Sequence, residues 1–162
     1  MTTDTKYRSV FGVISDMVGN IGTITDNTYN KQWVIYSISG NTYKLFPMQN
    51  LTSRGMNSAN TNDGGYTASE MYTYIHNTVL PNLKKSGLNI VDCDLVSLSV
   101  YNDICSKTGK SSATIADDER FWLTDPYSSN SFSYVSSDGC IYNYHNASTS
   151  FGVRPLITVV KD

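Results

Sequence analysis

Two histidines, three cysteines and one acidic triplet are the residues whose chemistry could be catalytic or metal-binding. His76 falls in a helical pattern and His145 in a tyrosine-rich stretch, and neither has a third ligand nearby at metal spacing. Cys93, Cys105 and Cys140 are odd in number and lack a C-x-x-C spacing, so they imply neither a disulfide framework nor a zinc site. Asp117-Asp118-Glu119, beside Arg120, offers carboxylates for general acid–base work, but at the end of a polar loop it reads as a solvated turn. Thr108-Gly109-Lys110-Ser111 resembles the end of a phosphate-binding loop, yet the first glycine of that motif is replaced by Ile104. Asn57, Asn62 and Asp63 could supply oxygens to calcium, but a single carboxylate without an alternation of acids reads as a plain loop. No G-x-S-x-G elbow or other nucleophile motif is present. The expectation is a protein that is not an enzyme, with no cofactor and no metal.

Recognition is the chemistry that the composition favours. Between Phe121-Trp122-Leu123 and Phe151-Gly152-Val153-Arg154-Pro155 lie 27 residues, Thr124 to Ser150. Fifteen of them are Ser, Tyr or Asn, and none is Lys, Arg, Glu, Gln, Met or Trp. Tyr supplies a large rigid contact at low entropic cost, and Ser and Asn supply adaptable hydrogen bonds, as in antibody loops. Tyr127, Tyr134, Tyr142 and Tyr144 are the candidate aromatic anchors. Ser128, Asn130, Ser133, Ser136, Asn143, His145, Asn146 and Ser148 are the candidate polar contacts. Side chains alternate along a strand, so if Ile141 is core, Tyr142 and Tyr144 face the ligand. Arg154, the one charge inside an apolar strand, reads as a structural arginine paired with a carboxylate or with carbonyls.

The whole chain bounds what such a surface can meet. At 162 residues, with 40% apolar residues, one domain can bury a core without staples. Only 16% of residues are charged and the net charge is −2, so a nucleic-acid or membrane-surface partner is not expected. No apolar run approaches a membrane span, and the N-terminus lacks a basic-then-apolar signal pattern.

Local patterns place the elements around this stretch. Apolar residues from Tyr7 to Val18 predict a helix ended by Gly19-Asn20, within an N-terminal helix and linker over 1–30. The main domain then spans 31–162. Gln32 to Gln49 predicts a hairpin turning at Gly40-Asn41, and Leu51 to Gly65 a polar loop. Thr67 and Glu70 form a capping-box pattern ahead of a helix, which Pro81 should kink or break near Leu80. Leu88–Leu98 predicts a strand and Ser99 a cap for a short helix to Cys105, followed by a polar loop over Lys107–Glu119. Phe121–Leu123, Ser131–Val135 and Cys140–Tyr144 predict strands, the last two joined at Ser137-Asp138-Gly139. Phe151 to Val160 predicts a closing strand that begins at an edge or bulge, because of Pro155.

Several motifs combine into a resemblance covering roughly Trp33 to the C-terminus. They are G-G-Y-x-x-S-E-M (Gly64–Met71), V-S-L-S-x-Y (Val96–Tyr101), W-L-x-x-P (Trp122–Pro126), Y-V-x-S-D-G (Tyr134–Gly139) and G-V-R-P-L (Gly152–Leu156). Together they resemble a family of domains from gut bacteria and their phages that look like members of the C-type-lectin-like superfamily. The resemblance implies an α+β, C-type-lectin-like fold, with mixed or antiparallel sheets, two main helices and long irregular loops. That superfamily includes the variable proteins of diversity-generating retroelements, whose mutated AAC-type codons yield Asn, Ser, Tyr, Asp and Thr but never Lys, Glu, Gln, Met or Trp. The window 124–150 obeys that restriction.

Departures limit what is carried over. The E-P-N, Q-P-D and W-N-D elements of calcium-dependent lectins are missing. The three cysteines do not form the copper motif of the formylglycine-generating enzymes, which leaves an enzyme of that type as a distant alternative. The leading expectation is a module binding a protein or glycan receptor on a bacterial or other cell surface. It would be carried on a phage tail or bacterial surface, and a homo-oligomer is compatible with it. A structural protein of a phage particle or cell surface, using the same face for subunit contacts, is the alternative.

Overall fold

The computed structural model describes residues 10–12 and 16–161, in which two five-stranded sheets and four α-helical segments make an α+β fold. Of the helix expected over 7–18, the described residues 10–12 and 16–18 form turns, one bridge residue and irregular chain, and the rest lies outside the described residues.

Strand β1 (Ile21–Thr23) lies antiparallel to β2 (Gln32–Ser39), which turns through Gly40-Asn41 into β3 (Thr42–Pro47). Alternating apolar residues place Trp33, Ile35 and Leu45 in the core, and Gly40 supplies the left-handed turn residue at φ 61°. A short strand, β4 (Ser53–Arg54), lies inside the stretch expected to be all loop.

Helix α1 (Glu70–Tyr74) is capped by Ser69, whose hydroxyl accepts from the Tyr72 amide at 3.2 Å. Thr67 is instead part of a preceding 3-10 turn, Tyr66–Ala68, and Glu70 accepts from the Ser58 amide and hydroxyl at 3.0 and 2.9 Å. The expected capping box is therefore displaced by a loop contact. Pro81 does not break the helix: α1 runs through a π turn, Ile75–Val79, into α2 (Leu80–Lys84). The Leu80 amide reaches back five residues to the Ile75 carbonyl. That widened turn lets the chain continue although proline has no N–H and crowds the preceding turn.

After β5 (Ile90–Asp94), α3 (Leu98–Thr108) is capped by Ser97 rather than Ser99 and is stopped by Gly109 at φ 70°. The stretch expected as a second loop holds α4 (Ser112–Ala116), capped by Ser111 and closed by Asp117 and Asp118, both at positive φ. Then follow β6 (Phe121–Tyr127), β7 (Ser131–Val135), β8 (Ile141–Tyr142), β9 (Phe151–Gly152) and β10 (Leu156–Val160).

The first sheet runs β1-β2-β3-β10-β5 and is antiparallel. The second runs β4-β9-β6-β7-β8, with one parallel pair, β6 and β9. The strand expected over Phe151–Val160 is thus divided between the sheets, and Val153-Arg154-Pro155 forms the crossing. Pro155 precedes the ladder, so β10 sits inside the sheet, between β3 and β5, rather than at an edge. Alternation along the second sheet sends Trp122, Phe132 and Tyr134 into one core with Ile35, Met71 and Ile157. Phe121, Leu123 and Val135 enter another, with Tyr101, Ile104 and Ile115.

Arg154 locks the crossing in place. It is fully buried, donates to the carbonyls of Ile115 and Ala116 and to Asn50 Oδ1 (2.8 Å), and lies 4.3 Å over the Phe121 ring. Burial pushes its pKa down to about 10 against the opposing pull of Glu119, 3.6 Å away, so it remains a cation at neutral pH. Replacing Arg154 with Ala leaves a cavity and orphaned acceptors. Urea denaturation is expected to show a loss of about 3–5 kcal/mol.

Candidate ligand-binding surface

A row of rings crosses the second sheet from its core to its edge. Register pairs Trp122 on β6 with Tyr134 on β7, and Tyr134 with Tyr142 on β8. Phe151 joins the row from β9, with its ring centroid 4.8 Å from Trp122 and 4.5 Å from Tyr134. Burial falls along this row: Trp122 and Tyr134 are buried, Tyr142 is 38% exposed and Tyr144 is 67% exposed. Tyr144 and His145 fold back onto Tyr134, at 6.0 and 5.3 Å between ring centroids. Such pairs each add about 0.5–1.5 kcal/mol beyond area burial.

Tyr134 is therefore not the free anchor that its residue type suggests. Burial, with a hydrogen bond to Tyr144 adding to it, raises its pKa well above the usual phenol range. Ser136 is also buried, and its amide and carbonyl close the β7–β8 turn with Cys140 and Gly139. Ser133 alternates with Phe132 and Tyr134, so it lies on the opposite face of the sheet from the rings. These three leave the candidate surface. Of the others, Tyr127, Ser128, Asn130, Tyr142, Tyr144, Asn146 and Ser148 are exposed, and Asn143 and His145 are half-buried.

The loops that carry the exposed residues are tied together by three small polar groups. Ser131, buried beneath the β6–β7 tip, donates from its hydroxyl towards the carbonyls of Tyr127 (2.7 Å) and Asn143 (2.9 Å). Its backbone bridges to Asn146, and the Ala147 amide donates to the Asn130 carbonyl at 2.8 Å. Asn62 donates from its side-chain amide to the carbonyls of Ser128 (3.0 Å) and Ser131 (2.9 Å). The Ala147 carbonyl in turn accepts from the Met56 amide at 2.8 Å. Asn57 is similarly occupied, by the Glu70 amide and the Thr61 carbonyl. Asn57 and Asn62 thus act as clamps on loops, and no local pattern in their polar, aperiodic loop marks them as such.

The turn below the surface is equally constrained. Gly139 adopts φ 88°, and an added Cβ would overlap the Ala113 backbone on α4. Ser112 donates to the Gly139 carbonyl at 2.7 Å, and the Cys140 amide donates to Asp138, which holds the Asp138 carboxyl below its usual range. Cys93, Cys105 and Cys140 are free and lie apart in burial, the first buried and the last exposed. Among the described residues, no group of three or more His, Cys, Asp or Glu is placed to hold a metal ion. His76 lies elsewhere, 3.3 Å from Asp94 on β5, which also accepts from Tyr66 at 2.8 Å. None of the described helices is long and apolar enough to cross a membrane.

Searches against family models, curated proteins and solved structures found no match.

The rings divide into frame and surface by burial. Tyr134→Ala is expected to cost about 3–5 kcal/mol in chemical denaturation. Tyr144→Ala, which removes ring contacts at the exposed end of the row, is expected to cost less, about 1–2 kcal/mol.

Proposed function

We propose that this chain is a ligand-binding module of C-type-lectin-like architecture that presents a Tyr/Ser/Asn surface, diversified by a retroelement, to a receptor on a cell surface. A phage tail or bacterial surface is its place in this reading, and it carries no catalytic centre. The observation that supports it best is the match between exposure and composition. The residues Tyr127, Ser128, Asn130, Tyr142, Tyr144, Asn146 and Ser148 are all exposed on loops and strand ends tied together at the β6–β7 tip, and each is of a type the restricted codon set can produce. Beneath them lie large rings and backbone clamps whose replacement would cost stability. Exposed tyrosines accompanied by small polar residues are the composition of a paratope, in which aromatic anchors carry affinity and neighbours adapt.

Sequencing many copies of the gene from one population tests the diversified part of this reading. Substitutions should be confined to 124–150, and most frequent at the seven exposed positions. Uniform drift along the whole chain contradicts it.

A further inference from the structure

Beside the tyrosine surface, at the end of the second sheet where β6 and β9 begin, lies an open groove of about 500 Å³. That volume is within the range of about 300–1,000 Å³ typical of small-ligand sites. Its lining brings together Arg120, Asp118, Ser53, Ser137, Ser150 and the edge of Phe151. The Arg120 backbone is pinned, since its carbonyl accepts from the Gly152 amide (2.8 Å) and from Asn50 Nδ2 (3.0 Å). Its guanidinium lies 5.8 Å over the Phe151 ring and makes no ion pair among the described residues. Asp118, exposed and held at φ 65° by the end of α4, makes none either. The neighbouring Glu119 is committed to Arg154 (3.6 Å) and the Asn50 amide (3.1 Å), so one unpaired cation and one unpaired carboxylate remain.

We propose that this groove is a subsite for an acidic sugar, a uronic-acid-type residue of a glycan whose neighbouring units lie across the tyrosine surface. A guanidinium free of carboxylates is the partner for a ligand carboxylate, to which it can donate two parallel hydrogen bonds. Asp118 is then the acceptor for ligand hydroxyl groups. The hydroxyls of Ser53, Ser137 and Ser150, uncommitted to protein partners among the described residues, supply donors and acceptors at the close spacing of a sugar ring. An inorganic anion or an acidic peptide side chain would use Arg120 but would bring no hydroxyl groups to Asp118 and the serines, so the acidic sugar alone offsets the repulsion between its carboxylate and Asp118. Phe151 joins the groove to the tyrosine surface, because its ring packs against His145 at 5.2 Å and against Tyr134. The proposal names the ligand class of the binding surface described above and rests on that reading for the role of the tyrosines. Arg120, Asp118 and Ser53 lie outside 124–150, so the subsite keeps its charge while the tyrosine surface varies.

The test is an NMR titration of the isotope-labelled protein with methyl β-D-glucuronide and with methyl β-D-glucoside, which differ in the carboxylate. The glucuronide is expected to shift the amides of Ser53, Arg120, Ser137 and Gly152, with a dissociation constant on the order of a few millimolar. The glucoside should bind about tenfold more weakly. Arg120→Gln should abolish that preference while the remaining spectrum shows an intact fold, and Lys44→Gln, on an exposed position of β3 in the other sheet, should leave it unchanged. Equal binding of the two sugars, an Arg120→Gln protein that keeps the preference, or N-acetylglutamate binding as tightly as the glucuronide would overturn the proposal. None of these outcomes bears on whether 124–150 varies, and uniform drift there leaves this titration unaffected.

Discussion

Tyr134 is the ring on which the exposed surface rests. It sits in the middle strand of a cross-sheet row, with Trp122 and Phe151 on its core side and Tyr142, Tyr144 and His145 on its outer side. The same packing that removes it from solvent holds the outer rings at fixed positions. A binding surface of rigid aromatic groups loses little conformational entropy when it meets a partner, which is the advantage of organising it before binding. The polar clamps extend this order to the loops. Ser131 and Asn62 satisfy carbonyls at the hairpin tip, and Ala147 ties the returning loop to Asn130 and Met56.

The frame is held from below by a charge. Arg154 sits where the chain passes from one sheet to the other, and its donors satisfy the carbonyls that end α4. Through Asn50 it also orders the residues that pin the Arg120 backbone. An added Cβ at Gly152 would overlap the Asn50 side chain, so the same contact requires glycine there. The structural arginine and the exposed arginine are therefore two ends of one network, the first paired and buried, the second fixed at its backbone and open at its side chain.

Much of this was legible in the sequence where short-range rules decide structure. The Gln32–Gln49 hairpin follows from alternation and a Gly-Asn turn, and the Asp138-Gly139 turn from the same logic. Composition marked the window that holds the seven exposed positions but did not separate them from the other five residues named with them. Misreadings arose where tertiary contacts override local preference. Ser69 caps α1 because Ser58 captures Glu70, and the π turn absorbs Pro81. Burial of Tyr134 could not be read from residue type, since a tyrosine in a serine-rich strand looks the same whether a neighbouring strand covers it or not. The division of Phe151–Val160 between two sheets was hidden for a similar reason: periodicity continues through Arg154, while partners on either side differ. Arg120 and its groove went unassigned, because the groove is assembled from loops distant in sequence.

Separation of a variable surface from an intolerant frame is the central claim, and one library tests it directly. Codons 127, 128, 130, 142, 144, 146 and 148 would be randomised together in a displayed protein, sorted for protease resistance, and then sorted for binding to lysozyme as an arbitrary probe. Most members should remain resistant, and lysozyme binders should emerge from them with new residues at the randomised positions. If resistant members instead recover the original residues at Tyr142 and Tyr144, those rings belong to the frame and the account is wrong.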